Sequence, residues 1–312
     1  MTELLVGSRV SSIVAPSSFE DRIDGWIRAG TGERLEDCGK TLVFGCLNVE
    51  DHVAMDHTID GSENHAGKVF VDLRRHSCMR LECPVCYEKA AAREAKRIDH
   101  RMKAWKSRGK PIHFVVSVPK NFWYLSLEQL REKAYKLARS VGFWGGSCIP
   151  HKQREHCKIC GEPKDGFEKR CVNCGCGEFV WYFSPHFHMI GYGWISGEKV
   201  AKENEWSGWI NKNVGVREGA DGVFKTAMYQ LSHCSTKKKR HTVTWFGAMA
   251  YNKLRVEKEI VEKKVCPLCG SELEPLIWVG EGVMPLVEEG EYYDDAENWR
   301  RRVLPRLGFH DY

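Results

Sequence analysis

The sequence predicts an α+β protein, because helical and strand-like patterns occupy separate stretches of the chain. Ala91, Ala95, Ile98, Met102 and Trp105 step by three and four residues, which is typical of one apolar face of a helix. The segments PIHFVVSVPK and FVWYFSPHFHMIGYGWI are apolar and β-prone, as buried strands are. With 312 residues, 42% of them hydrophobic, the chain is long enough for two or three domains and a sizeable core.

Three parts can be distinguished along the chain. Residues 1–109 form an N-terminal region rich in cysteine and histidine that begins with few periodic signals, so we expect it to be irregular and supported by a metal. It ends in a helix from about 87 to 107, which carries a ladder of basic residues on the face opposite its apolar stripe. Residues 110–256 form the central part, and 257–312 form a C-terminal region with an acidic segment.

The central part alternates strands and helices. The strand in PIHFVVSVPK is followed by a helix that begins at Ser126, where Gln129 three residues later completes a capping box. SCIPH, which ends at His151, is a short strand candidate. After the long strand FVWYFSPHFHMIGYGWI, we expect a further helix over about 225–234.

Charge and hydropathy exclude a membrane-spanning protein. No apolar stretch is long enough to span a bilayer, and the N-terminus lacks the pattern of a signal peptide, so we expect a soluble, cytoplasmic protein. The net charge is only +5, but it is unevenly distributed. Lys237, Lys238, Lys239 and Arg240 form a basic block that we expect to contact nucleic-acid phosphates, although a solvated surface explains such a run equally simply.

The fourteen cysteines are spaced like metal ligands. In a reducing compartment, two residues between a pair of thiolates allow a tight turn to aim both at one tetrahedral zinc ion. Two such pairs, ten residues apart, predict a zinc ribbon inserted at 155–178, with Cys176 as a spare. The partners of the last pair are not evident from the sequence. The predicted structural zinc ligands are Cys157, Cys160, Cys171 and Cys174 in the ribbon, Cys78, Cys83 and Cys86 before the first helix, and Cys266 and Cys269 in a C-terminal knuckle.

A pair of histidines occurs in the stretch SPHFHMIGYG. Residues two apart on a strand point to the same face, so His186 and His188 present two imidazoles to one side while Phe187 points into a core. Pairs of this kind arise often by chance, but this one lies in an apolar strand. We therefore predict a divalent metal site at His186 and His188.

A candidate nucleophile follows about forty residues later. In VFKTAMYQLSHC, Lys225 precedes Tyr229 by four residues and His233 follows it by four. If this segment is helical, the three side chains share a face, and a cation on either side favours the phenolate form of the tyrosine. Tyr251, with Lys253 nearby, is the competing candidate. We prefer Tyr229 because Tyr251 follows an apolar run typical of a core.

The order of these motifs resembles that of HUH endonucleases. HFVVSVP, PHFHMIG and AMYQLSH, in that order, resemble the three motifs of the superfamily, and the resemblance covers about 110–255. YQLSH and TWFGAMAYNKL resemble segments of rolling-circle replication initiators from archaeal viruses and plasmids. One departure is that most such proteins have a lysine three or four residues after the tyrosine, where this chain has His233.

The resemblance implies a ferredoxin- or RRM-like antiparallel sheet with flanking helices over 110–256. It also implies an enzyme that nicks and rejoins single-stranded DNA at an origin. His186 and His188 would hold Mg²⁺ or Mn²⁺, Glu178 is the candidate third ligand, and Tyr229 would form a covalent 5′-phosphotyrosine link.

Other functions remain open. A non-catalytic zinc-ribbon protein that binds nucleic acid would need no nucleophile, and a transposase or relaxase would use the same chemistry on another substrate. The sequence has no phosphate-binding loop, since GSENHAGKV has the wrong spacing and Val69 in place of a hydroxyl residue. An initiator of this kind would therefore need a helicase and a DNA polymerase as partners.

Overall fold

A computed structural model of the chain describes residues 25–52, 65, 67–105, 109–164, 169–219, 221–257, 264–282, 284 and 290–302. They form two compact units. Unit 1 comprises 25–34 and 79–256, and unit 2 comprises 35–78 and 257–302, within these described ranges. All sheets are antiparallel and are combined with a few helices, so the predicted α+β class is confirmed.

The elements, in chain order, are β1 Ile27–Arg28, β2 Thr41–Cys46, α1 Val49–His52, β3 Lys68–Arg75, α2 Tyr87–Ala104, β4 Ile112–Ser117, α3 Leu127–Ser140, β5 Phe143–Cys157, β6 Phe179–Gly193, α4 Gly197–Ser207, β7 Ile210–Val216, α5 Gly222–Leu231, β8 Ser235–Thr236, β9 Thr244–Gly247, β10 Glu274–Trp278, β11 Glu291–Asp295 and β12 Trp299–Arg301. Two short 3₁₀ turns, Lys120–Phe122 and Ala296–Asn298, accompany them.

Unit 1 is built on a five-stranded sheet with the order β7-β4-β6-β5-β9. β5 and β6 are each 15 residues long and pair from Phe143 opposite Gly193 to Cys157 opposite Phe179. β4 pairs with β6 only as far as His186, and β9 pairs with β5 only over its first part. The remainder of the β5/β6 pair therefore extends beyond its neighbouring strands as a two-stranded arm.

Helices cover both faces of this sheet. α3 packs on one face against Phe114, Phe187 and Met189, whereas α2 and α5 pack on the other against Ile149 and Ile190. The division follows from the alternation of side chains along a strand. The capping box of α3 is present: Gln129 N–H donates to Ser126 Oγ at 3.2 Å and Ser126 N–H donates to Gln129 Oε1 at 3.0 Å.

The predicted apolar stripe of α2 is buried, and one residue of the predicted basic ladder, Arg101, is buried as well. Arg101 is 6% exposed and donates hydrogen bonds to the backbone carbonyls of Met249, Ala250 and Leu254. These carbonyls lie in the segment after β9, and a guanidinium can donate to several of them at once. The helix ends at Ala104 in the structure, and the predicted end near 107 lies outside the described residues.

Unit 2 joins the two ends of the chain in one sheet, with the order β11-β3-β2-β10-β12. Its small core contains Val69, Val71, Leu73, Leu276 and Trp299. The N-terminal region is thus not irregular throughout: its strands β2 and β3 pair with each other and with strands more than two hundred residues later. Residues 285–289 of the predicted acidic segment lie outside the described residues. Within the described part of the chain, no helix combines the length and apolar character needed to cross a membrane.

Candidate functional site

Three histidines come together on one face of the unit 1 sheet. His186 and His188 lie on β6, and His151 lies directly opposite His186 on β5. One ring nitrogen of each lies within 4.8 Å of one from each of the other two. Directly opposed residues of an antiparallel pair project to the same side, so the register of β5 against β6 adds a third imidazole to the predicted pair.

Burial keeps these three histidines neutral: His151 and His186 are buried, and His188 is half-buried. Burial lowers the pKa of each well below its usual range, and the positive charge of Arg154 adds to this effect at all three. Neutral imidazoles keep the lone pair that a metal ion requires. Both ring nitrogens of His151 are buried without a hydrogen-bond partner among the described residues, which is costly unless a ligand satisfies one of them.

Hydrogen bonds orient the two histidines of β6. His186 Nδ1 lies 2.7 Å from the carbonyl oxygen of Ser184, which can only accept, so Nδ1 donates and Nε2 keeps its lone pair. Arg217 can only donate, and it contacts Nδ1 of His113 at 2.9 Å. His113 therefore donates through Nε2 to Nδ1 of His188 at 2.8 Å. Because Nδ1 of His188 accepts this bond, the proton of the neutral ring is on Nε2. A cation can bind Nε2 only after that proton has left, so this chain of hydrogen bonds affects the affinity of His188 for a metal ion.

The donor set indicates which metals fit. Three imidazoles around an open position suit a transition metal such as Zn²⁺, whereas Mg²⁺ prefers oxygen ligands and binds such a set poorly. Glu178, the predicted third ligand, is not among the three residues grouped here: its carboxylate pairs with Lys158 Nζ at 2.9 Å, and both side chains are largely exposed. His151 is the third residue of the group instead.

Tyr229 lies next to this cluster by way of His233. The ring centroids of Tyr229 and His233 are 4.7 Å apart, and those of His233 and His151 are 4.8 Å apart. Tyr229 is on α5, half-buried, and Ser232 Oγ donates to its backbone carbonyl at the helix end. The aromatic contact through His233 thus connects the candidate nucleophile to the candidate metal ligands.

The two cationic neighbours expected around Tyr229 have different roles in the structure. α5 ends at Leu231, so His233 lies beyond the helix, and burial lowers its pKa to about 4, which leaves it neutral. Lys225 is one helical turn before Tyr229, with its side chain 75% exposed and paired with Asp221 at 3.4 Å. The competing Tyr251 is 66% exposed, and the Arg101 guanidinium lies 4.7 Å from its ring centroid.

The predicted zinc ribbon closes the far end of the β5/β6 arm. Cys157, Cys160, Cys171 and Cys174 bring their sulfurs within 4.8 Å of one another, so they can hold a zinc ion. The backbone N–H of Cys160 lowers the pKa of the Cys157 thiol to about 6, which favours the thiolate that zinc binds. Cys176 is outside this set, and its sulfur accepts from the backbone N–H of Glu178 at 3.1 Å.

A second ligand set of this kind lies within unit 2. Cys266 and Cys269 of the C-terminal knuckle meet Cys46 from the end of β2 and His52 from α1. His52 donates through Nδ1 to the carbonyl of Lys68 at 3.0 Å, which turns Nε2 toward the sulfurs of Cys46 and Cys266 at 3.3 and 3.4 Å. Such an outer hydrogen bond fixes the ring of a metal-bound histidine. The four side chains can hold a structural zinc ion.

A shared backbone pattern unites the three knuckles that belong to these two sets. Each has a glycine directly after its second cysteine, at Gly161, Gly175 and Gly270, with φ between 71° and 73°. In each, this glycine donates its N–H to the carbonyl of the first cysteine. The left-handed conformation favours glycine, so the motif Cys-x-x-Cys-Gly marks these turns in the sequence.

The remaining predicted residues lie as follows. Cys83 and Cys86 are buried in unit 1 at the start of α2, and the half-buried Cys78 belongs to unit 2. In the basic block after β8, Lys238, Lys239 and Arg240 are exposed, whereas Lys237 pairs with Glu128 at 3.8 Å.

Comparisons of this chain with family models, with curated proteins and with solved structures found no match in any of the three. The site therefore has to be interpreted from its own residues.

We predict that Cys157→Ser reduces the zinc content of the purified chain by about one ion, because a ribbon with three thiolates retains zinc poorly. Metal analysis of the gel-filtered protein measures this. Cys176→Ser is the matched control, since that sulfur lies outside the ligand set, and it should keep the full zinc content. Equal zinc loss in both variants would contradict the assignment.

We predict that His151→Ala weakens Mn²⁺ binding at the histidine cluster by about tenfold or more, because one of three ligands is lost. Electron paramagnetic resonance titration of Mn²⁺ measures the change without exchanging structural zinc. Glu178→Gln, the matched control, should bind Mn²⁺ like the unaltered chain. The opposite ranking of the two variants would show that the carboxylate, not His151, is the third ligand.

Proposed function

We propose that this protein nicks and rejoins single-stranded DNA through a covalent 5′-phosphotyrosine intermediate, as a rolling-circle replication initiator of the HUH type. Tyr229 is the nucleophile, and His151, His186 and His188 hold a divalent metal ion. The observation that carries the proposal is the contact of Tyr229 with His233, which itself packs against His151.

The architecture of unit 1 supports this proposal. The histidine pair lies on the central strand β6, and the strand that carries HFVVSVP, β4, is its neighbour. The tyrosine helix α5 packs on the face that carries Ile190, and Ile190 shares that face with the two histidines because it follows His188 by two residues on β6. An antiparallel sheet with this arrangement is compatible with the ferredoxin-like core of HUH endonucleases.

In the proposed reaction, one bond to phosphorus forms and one breaks. The oxygen of Tyr229 attacks the phosphorus, the bond from phosphorus to the 3′ oxygen breaks, and the departing oxygen takes up a proton to give a 3′-hydroxyl. The unprotonated ring of His233, which lies against Tyr229, can accept the phenolic proton. Because one phosphodiester replaces another, attack by a 3′-hydroxyl on the tyrosyl link reseals DNA without a nucleotide cofactor.

Cationic side chains surround this site and suit a phosphate substrate. Arg154 lies beside His186, and the charges of Arg28 and Lys164 both lower the pKa of His233 after the larger effect of burial. A divalent ion bound by the three histidines would polarise a phosphate oxygen and offset the charge that develops on it. Of the two metals expected from the resemblance, the imidazole ligands favour Mn²⁺ over Mg²⁺.

One observation favours the alternative of a non-catalytic zinc-ribbon protein that binds nucleic acid. Three imidazoles also suit a structural zinc ion, which would need only one further ligand to close its tetrahedron. A transposase or relaxase would share the nicking chemistry and differ in its DNA substrate. The replication role additionally requires a helicase and a DNA polymerase as partners.

We predict that Tyr229→Phe abolishes a covalent protein–DNA adduct that the unaltered chain forms with Mn²⁺, because the attacking oxygen is absent. The substrate is a pool of random single-stranded oligonucleotides with a 3′-terminal fluorophore, so that the 5′-linked product carries the label onto the protein in denaturing gels. Tyr251→Phe is the matched control and should label normally.

An adduct that survives Tyr229→Phe, or that disappears only with Tyr251→Phe, would refute the assignment of the nucleophile. A chain that binds single-stranded DNA but forms no adduct with Mn²⁺ would instead support the non-catalytic alternative.

A further inference from the structure

A groove of about 620 Å³ lies in unit 1 where β5 begins and β9 ends, at the opposite end of β5 from the zinc ribbon. Its lining consists of Trp105, Arg139, Phe143, Trp144, Gly247, Ala248 and Lys253. Neither the histidine cluster nor Tyr229 contributes to it. The proposed nicking reaction therefore assigns no role to this groove.

The backbone at this point is shaped to hold Trp144 outward. Phe143 is buried in the core, whereas Trp144 is 51% exposed and lies at a register shift between Phe143 and Gly145, where it has no partner on β6. Ala248 N–H donates to the carbonyl of Trp144 at 3.0 Å, and Gly247 has φ 63°. A side chain at Gly247 would collide with that carbonyl oxygen, so this close approach requires glycine.

The side chains of the groove offer hydrogen-bond donors and cations. Arg139 and Lys253 are exposed on its rim, and no carboxylate lines it among the described residues. The indole nitrogen of Trp105 is buried and has no acceptor in the described part of the chain. A fitting ligand is therefore anionic, rich in acceptors, and flat enough to lie on an aromatic ring.

More aromatic surface lies at the same end of the sheet. Trp194 is 82% exposed, and its backbone N–H donates to the carbonyl of Gly142, the residue before β5. Stacking on bases is a common use of exposed aromatic rings in proteins that hold single strands.

We propose that this groove binds a segment of unpaired nucleic acid, with a base stacked on Trp144 and phosphates held by Arg139 and Lys253. Bases in a duplex are stacked on each other and present no free face, and an acidic peptide has charge but no planar ring. An unpaired strand combines both features with hydrogen-bond acceptors for the indole of Trp105.

The groove is a second contact point, separate from the histidine cluster. Trp144 and His151 lie seven residues apart on β5, which corresponds to about 23 Å at about 3.3 Å per residue. At the spacing of one strand in a duplex, about 3.4 Å per nucleotide, this distance corresponds to about seven nucleotides, and a more extended unpaired strand covers it in fewer. Binding in the groove requires neither a metal ion nor Tyr229, so the inference stands independently of the nicking activity.

The test is fluorescence anisotropy of a labelled 20-nucleotide oligothymidylate with the full chain and no added divalent metal. We expect Trp144→Ala to weaken binding by about tenfold through lost stacking, and Trp144→Phe to restore most of it. Lys253→Ala should lower the slope of log affinity against log salt by about 0.7, the value for one single-strand phosphate contact. Trp206→Ala and Lys202→Ala, exposed controls on α4, should leave affinity and slope unchanged.

Unchanged binding by Trp144→Ala, or an equal loss in Trp206→Ala, would overturn the proposal. The proposal would also be refuted if a 20-base-pair duplex or polyglutamate displaced the probe at the same concentration as unlabelled oligothymidylate does. Tyr229→Phe should bind the probe like the unaltered chain, so a failed adduct assay and a failed groove remain distinguishable.

Discussion

The register between β5 and β6 is the constraint on which the candidate site depends. Because His151 is paired with His186, the cluster contains three imidazoles rather than two. A shift of one residue would turn His151 to the opposite face and remove it from the cluster. The same pair of strands extends to Cys157 and Phe179, so a single hairpin carries the histidines along its length and the zinc ribbon at its end.

Burial of these imidazoles costs free energy unless a ligand binds to their nitrogen atoms. Each loses its hydration and stays neutral, and His151 has no hydrogen-bond partner for either nitrogen among the described residues. A bound cation would satisfy these groups and stabilise the register at once. Catalytic and structural functions of such an ion are compatible, since an ion that activated a substrate would also link β5 and β6.

A metal ion bound at each cysteine site can likewise stabilise a part of the chain that has only a small hydrophobic core. β5 and β6 continue beyond the ends of β4 and β9 as a two-stranded arm, and four cysteines lie at the end of this arm. Unit 2 has only small buried clusters, and its ligand set joins β2, α1 and a knuckle from the other end of the chain. Metal ions commonly provide stability where little apolar surface is buried.

Local rules predicted much of this arrangement, and long-range pairing explains what they missed. The two-residue period of a strand was enough to place His186 and His188 on one face, and Cys-x-x-Cys spacing was enough to identify the ribbon. His151 could not be assigned as a ligand because its position depends on cross-strand register, so Glu178, nearby in sequence, was the available candidate. Cys46 lies 223 positions before Cys269, and no local pattern connects them. The role expected of His233 as a cation depended on burial, which sequence does not specify.

The central claim is that His151, His186 and His188 form one metal site beside Tyr229. Crystals soaked in Mn²⁺ and measured at the manganese absorption edge test it most directly, because the anomalous signal locates the ion independently of any activity. We expect a peak within about 2.0–2.3 Å of a nitrogen from each histidine, as first-row metals bind imidazole. A manganese peak elsewhere with none at this cluster, in crystals where the three rings are ordered, would contradict it.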